Sequence, residues 1–148
     1  MASLSKFLKE KNYFKIPLVL TATNHFELIV KINDITGRFI LDTGASNTCI
    51  GFDKIEYFNL KSKASKIKAA GAGASGMEIL ISKRNRLEIG PWKKEKVKIV
   101  LFDLKHVNEA LITHKALPVE GIIGADILKK AKAIIDYDQR CLFLKSKP

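Results

Sequence analysis

A chain of 148 residues fits one domain and can bury roughly two-thirds of the surface its unfolded form exposes, so it needs no disulfide or metal staple. An apolar fraction of 47% excludes a disordered or fibrous chain. A net charge of +11 leaves nucleic acid, anionic membrane and acidic partners to be weighed.

The lysine-rich runs Lys61-Ser62-Lys63, Lys83-Arg84-Asn85-Arg86 and Lys93-Lys94-Glu95-Lys96 lack the interleaved aromatics of a base-stacking surface. Val97-Lys98-Ile99 alternates as a solvated strand face does. Both features argue against a nucleic-acid partner. Cys49 and Cys141 sit in apolar runs and read as free buried thiols. They form no framework or metal site, although a bridge between them stays open. No run approaches the ~18 apolar residues of a membrane span. The N-terminal run 16–20 is shorter than a leader core of ~7–15 residues and is broken by Pro17. The expected location is cytoplasmic, with a trimmed exported leader as the alternative.

Residues 1–12 form a charged lead-in with weak helical spacing at Leu4, Phe7 and Leu8, either mobile or packed at a subunit contact. Residues 13–21 read as a first strand. Residues 26–32 alternate as a half-buried strand, 33–37 as a turn, and 38–41 as the returning partner. That hairpin delivers Asp42-Thr43-Gly44-Ala45-Ser46 to its end. An ionised carboxylate after the apolar run Phe39-Ile40-Leu41 is costly unless paired or hydrogen-bonded. Taken alone, Asp-Thr-Gly reads as an ordinary Asx-type turn with Gly44 at positive φ.

Residues 47–50 continue extended, and 52–58 predict a short helix with Asp53 near its start. The run Ala70-Gly71-Ala72-Gly73-Ala74-Ser75-Gly76 contains the glycine spacing of a dinucleotide-binding loop, which needs a strand before it and a helix after it. Residues 77–82, a polar turn and then 86–89 come next, and that succession is hairpin-like. A lid or a plain flexible hairpin fits better. Gly90-Pro91 marks a turn with Trp92 packed under it, and 96–102 is a further alternating strand. Residues 104–112 have helical spacing. His25, His106 and His114 have no zinc-ligand spacing. Residues 125–131 predict the one well-formed helix. Residues 133–137 and 141–144 read as closing strands joined by Asp138-Gln139-Arg140.

Two motifs stand in fixed order around the glycine-rich hairpin. The first is Phe39-Ile40-Leu41-Asp42-Thr43-Gly44-Ala45-Ser46. The second is Gly121-Ile122-Ile123-Gly124-Ala125-Asp126-Ile127-Leu128, followed by Ala133-Ile134-Ile135-Asp136-Tyr137. Over residues 26–144 the chain resembles the retropepsin-like aspartic proteases. The resemblance implies a mostly β fold, a closed acid-protease-type β-barrel with a flap hairpin and one short C-terminal helix, spanning 13–148 after the lead-in. It implies Asp42 as catalytic acid, Thr43 bracing the loop across a dimer, Gly44 presenting backbone near the carboxylates, and Ala45 completing the loop. It makes Ala70, Gly71, Ala72, Gly73, Ala74, Ser75 and Gly76 the flap. Ile122, Ile123 and Gly124 would pass behind the site. It implies no cofactor, no metal and an extended polypeptide substrate.

Peptide hydrolysis without metal or nucleophile needs a water made basic and a carbonyl made electrophilic together. Two adjacent carboxyls sharing one proton do both. This chain carries one Asp-Thr-Gly, so the second carboxyl must be Asp42 of another copy across a twofold axis. Two departures stand out. Ala45 lacks a hydroxyl at the position where pepsin-like loops carry one, which predicts activity at mildly rather than strongly acidic pH. Ser46 and Ala125 stand where viral relatives pair an acid with an arginine, so that brace is missing, and Asp126 is expected to cap the helix start. Because fold does not fix function, a catalytically inactive protein-binding or dimerisation module of the same fold is the competing expectation. A basic nucleic-acid-binding protein is the third.

Overall fold

The computed structural model describes residues 3–64 and 79–146. Helix α1 (Leu4–Glu10) opens on Ser3, whose Oγ accepts the Lys6 N–H at 3.1 Å, so a hydroxyl satisfies one of the donors a helix start leaves orphaned. The helix buries Leu8 against Cys141 and Phe143, while Leu4 and Phe7 stay exposed.

Strand β1 (Tyr13–Pro17) stops at a proline, which has no N–H to give a ladder. The single strand expected over 13–21 is therefore two. Leu18 turns inward and donates its N–H to Arg140 O at 3.0 Å. Strand β2 (Val19–Leu20) then joins a different sheet.

Strands β3 (Phe26–Ile32) and β4 (Ile35–Leu41) pair in register from Phe26↔Leu41 to Ile32↔Ile35. Their turn is only Asn33-Asp34, with φ of 51° and 69°, the left-handed pair that a two-residue hairpin demands and that Asn and Asp tolerate. The longer turn expected over 33–37 is corrected accordingly. Gly37 lies inside β4, where a Cβ would stand 2.6 Å from the Phe58 ring. It is a packing glycine.

Strand β5 (Cys49–Gly51) leads into a single 3-10 turn (Phe52–Lys54) in place of the longer helix expected there. The short β6 (Lys63–Ala64) precedes β7 (Leu80–Ile89) and β8 (Trp92–Phe102). The polar turn expected after Ser82 is also corrected. β7 runs on through a bulge, with Arg84 at φ 63°, and Asn85 faces inward. The Asn85 side chain donates to Ser82 Oγ (3.0 Å) and Val97 O (3.4 Å) and accepts from Asn33 Nδ2 (3.0 Å). The turn between β7 and β8 sits at Gly90, φ +55°, followed by buried Trp92.

Helix α2 (Lys105–Thr113), β9 (Gly121–Ile123), α3 (Ala125–Lys130), β10 (Ile134–Asp136) and β11 (Cys141–Lys145) complete the chain. The expectation of one well-formed helix gives way to three short ones among the described residues, and α2 is the longest. No helix among them is long and apolar enough to cross a membrane.

The sheet order β3-β4-β9-β5-β8-β7 closes because β7 pairs back onto β3 at Lys31↔Glu88 and Ile32↔Leu87. Six strands thus make a barrel, and the fold is mostly β, as the sequence predicts. Val30, Ile32, Phe39, Leu87, Ile99 and Ile123 fill it. Burying each such side chain contributes about 1.5–3 kcal/mol. A second cluster (Ile40, Cys49, Leu104, Leu111, Val119, Ile122) lies outside the barrel wall with α2. β1, β11 and β10 form a separate three-stranded sheet.

Candidate active site

The site begins with two parallel strands that end together. β4 and β9 pair at Phe39↔Gly121, Ile40↔Ile122 and Leu41↔Ile123. The next residue, Asp42, donates its N–H to Ile123 O at 3.0 Å. Ile123 faces the barrel core and Ile122 the outer cluster, so apolar packing on both sides fixes β9, the strand against which the loop-bearing β4 is paired.

Asp42 is half-buried. Its Oδ1 accepts the Gly44 N–H at 2.9 Å and its carbonyl accepts the Ala45 N–H at 3.2 Å. The tripeptide is thus a genuine Asx turn. The expectation of positive φ at Gly44 is corrected, because Gly90 is the only glycine in that region among the described residues. Proximity accounts for Gly44 instead: a Cβ there would stand 3.3 Å from the Asp42 carboxylate. Thr43 and Gly44 are exposed, and the Thr43 hydroxyl makes no hydrogen bond among the described residues.

Behind this loop passes Gly124. A Cβ on it would lie 2.7 Å from Ala45 O and 2.8 Å from the Asn47 backbone, so only glycine lets the two segments cross. Ala125 donates its N–H to Ala45 O at 2.7 Å. The structure therefore brings together Asp42, Thr43, Gly44, Ala45, Ile122, Ile123 and Gly124. The expected flap, residues 70–76, lies outside the described residues.

Thr48 is the residue that sequence reasoning misses. It is fully buried, and both its N–H and its Oγ1 donate to Asp126 Oδ1, at 2.9 and 2.8 Å. The hydroxyl also accepts the Gly124 N–H at 3.0 Å. The sequence predicts Asp126 as a helix cap. The N-cap of α3 is instead Gly124, with no side-chain cap. The carboxylate takes the Ile127 N–H at 2.8 Å but serves mainly to tie α3 to the chain leaving the Asp42 loop. A Thr directly before the apolar pair Cys49-Ile50 is the only sequence signal for it.

Burial pushes the neighbouring Cys49 thiol up to about 12, with the Asp126 and Asp42 carboxylates adding to the effect. No group of acids, thiols and imidazoles among the described residues is arranged to hold a metal. His25 bonds Thr23, and His106 lies 3.9 Å from Glu109.

A closed β-barrel that holds a half-exposed carboxylate by backbone at the end of a strand, with a glycine crossing behind it, is consistent with an acid-protease fold. A sequence profile of the aspartyl protease family matches residues 28–127, and the chain belongs to that family. No curated protein matches it. Among solved structures it is similar to a retropepsin-like aspartic protease from Rickettsia conorii, with 18% identity, coverage of 90% of this chain and 89% of that one, and a TM-score of 0.60. The EIAV protease in complex with an inhibitor aligns at 21% identity, 74% and 90% coverage, and TM-score 0.53. The retroviral protease-like domain of Ddi1 from Leishmania major aligns at 17% identity, 82% and 93% coverage, and TM-score 0.55. At these identities the likeness concerns the fold.

Proposed function

We propose that this chain, through a domain spanning 13–148, is an aspartic endopeptidase that cuts extended polypeptides as a homodimer. Asp42 of each copy meets its mate across a twofold axis. One observation supports the reading above the rest. The Asp42 carboxylate is held by the Gly44 N–H, and its backbone is anchored to Ile123, yet the side chain remains half-exposed beside exposed Thr43 and Gly44. Such a group is rigid and open on the side where a second copy can arrive.

In the dimer the two carboxyls share one proton. The ionised one takes a proton from water as its oxygen attacks the peptide carbonyl carbon. The protonated one donates to the carbonyl oxygen, so charge never builds on either side. When the tetrahedral intermediate collapses, one of its hydroxyls returns a proton to the carboxylate that had donated, the C–N bond breaks, and the leaving amine takes the proton that the other carboxyl had drawn from water. Thr43 braces the loop across the axis.

The test is Asp42→Asn. Peptide cleavage is expected to fall by at least ~10²–10⁴-fold with the thermal midpoint little changed. Specific activity of the wild type is expected to fall on dilution as the dimer dissociates. Unimpaired cleavage by Asp42→Asn, or full activity in a species that stays monomeric, overturns the proposal. A wild type that dimerises and binds peptide without cutting it identifies the inactive module of the same fold.

A further inference from the structure

On the far side of the β3–β4 hairpin from the barrel core lies a groove of about 670 Å³, within the size range of specific ligand sites. Pro17, Val19, Glu27, Ile29, Arg38 and Leu117 are among its lining residues, and Asp42 is not. Three of them are large apolar side chains left open: Val19 is 63%, Ile29 57% and Leu117 59% exposed.

The groove follows a break in sheet pairing. On its side away from β4, β3 pairs with β2 up to Val19↔Glu27 and with β7 only from Lys31↔Glu88. Among the described residues no strand covers Ile29 between them. The direction of its backbone groups is set by its neighbours. Thr21 donates its N–H to His25 O, and the Asn33 N–H goes to Arg86 O. The odd-numbered residues of this regular strand thus point their N–H and C=O away from β4. Ile29 therefore offers one donor and one acceptor to the groove.

Beside it sits an unusual pair. The Glu27 side chain is nine-tenths buried, with Oε2 3.7 Å from Arg38 Nε, and its Oε1 has no hydrogen-bond partner. Arg38, directly opposite Ile29 on β4, has no other side-chain partner among the described residues. A buried carboxylate oxygen left unpaired costs stability, and the adjoining guanidinium has donors to spare. An acceptor and a donor side by side, next to an open strand edge, are the complement of a peptide unit.

We propose that this groove binds a polypeptide segment that enters the gap between β2 and β7 and bonds the Ile29 N–H and C=O. A small apolar side chain of that segment packs on Val19, Ile29 and Leu117, and a flanking peptide group bonds Glu27 Oε1 and the Arg38 guanidinium. The main-chain bonds supply affinity, and the apolar contacts supply selectivity. Binding here needs neither the Asp42 carboxylate nor a second copy, so it stands independently of the catalytic reading.

The probe is an end-blocked hexapeptide alternating valine and serine, titrated into isotope-labelled protein and followed by amide chemical shifts. Saturable binding is expected, with the largest shifts at Leu28, Ile29, Val30 and Arg38. Asp42→Asn should leave it unchanged. The double variant Ile29→Thr with Leu117→Ser, both at exposed positions, should weaken it tenfold or more. Methylating the central peptide nitrogen of the probe should abolish it without touching the protein's fold. Shifts confined to residues 42–46, indifference to N-methylation, or no saturation at millimolar probe overturns the proposal.

Discussion

Thr48 Oγ1 lies 2.8 Å from Asp126 Oδ1, across 78 residues of sequence. With the Thr48 N–H on the same oxygen and the Gly124 N–H on the hydroxyl, three hydrogen bonds lock the exit of the Asp42 loop to the start of α3. A hydrogen bond to a charged group contributes about 1.5–3 kcal/mol, and stranding a buried donor costs a similar amount. Thr48→Val keeps the shape and removes the hydroxyl. It is expected to lower stability by about 2–4 kcal/mol in urea unfolding, and Thr48→Ser is expected to recover most of that.

Gly124→Ala tests the crossing behind the loop. The new methyl must displace Ala45 O or the Asn47 carbonyl, both backbone atoms that cannot swing aside. Overpacking of this kind typically costs ~1–3 kcal/mol. Activity is expected to suffer more than stability, because the atoms that move carry Asp42. Parallel measurement of thermal midpoint and peptide turnover separates the two.

Glu27 predicts a pH dependence of stability. Burial holds its carboxyl above the ordinary value of 4.5, partly offset by the Arg38 guanidinium and reinforced by the Glu120 carboxylate. Below that ordinary value the group is protonated whether the chain is folded or not, and it carries no penalty. As pH rises, the unfolded chain ionises first, and stability is lost until the folded group has ionised too. The substitution Glu27→Gln should therefore gain on the wild type between pH 4 and pH 7 in urea-unfolding midpoints. An unchanged difference across that range would contradict it.

Both thiols should be inert in the native protein. Cys49, pushed up to about 12, holds almost no thiolate at pH 8. Cys141 is buried and raised as well, chiefly by its burial. Reaction with a thiol reagent needs the thiolate and access to it. A disulfide-exchange assay at pH 8 should find neither cysteine in the folded chain and both after denaturation.

What the sequence reveals depends on whether a residue's environment is local. The alternation Phe26, Leu28, Val30, Ile32 is complete within one strand, and β3 begins and ends where that pattern does. The acid after an apolar run likewise places Asp42 at a strand end before any fold is known. The run Lys83-Arg84-Asn85-Arg86 misleads because its polarity reads as a turn. Asn85 is inside only because Asn33 of the β3–β4 turn, Ser82 of β7 and Val97 of β8 satisfy it. Gly37 misleads in the same way, since the reason for it is the ring of Phe58. The Thr48–Asp126 tie has no local signature beyond a threonine standing before the apolar pair Cys49-Ile50.

The loop bearing Asp42 is suspended largely from main-chain atoms. Asp42 hangs on the carbonyl of Ile123, and the carbonyl of Ala45 on the amide of Ala125. Attachments of that sort are indifferent to which side chains flank them. Evolution is free to rewrite the neighbours while the acid keeps its position, provided that a glycine crosses beneath.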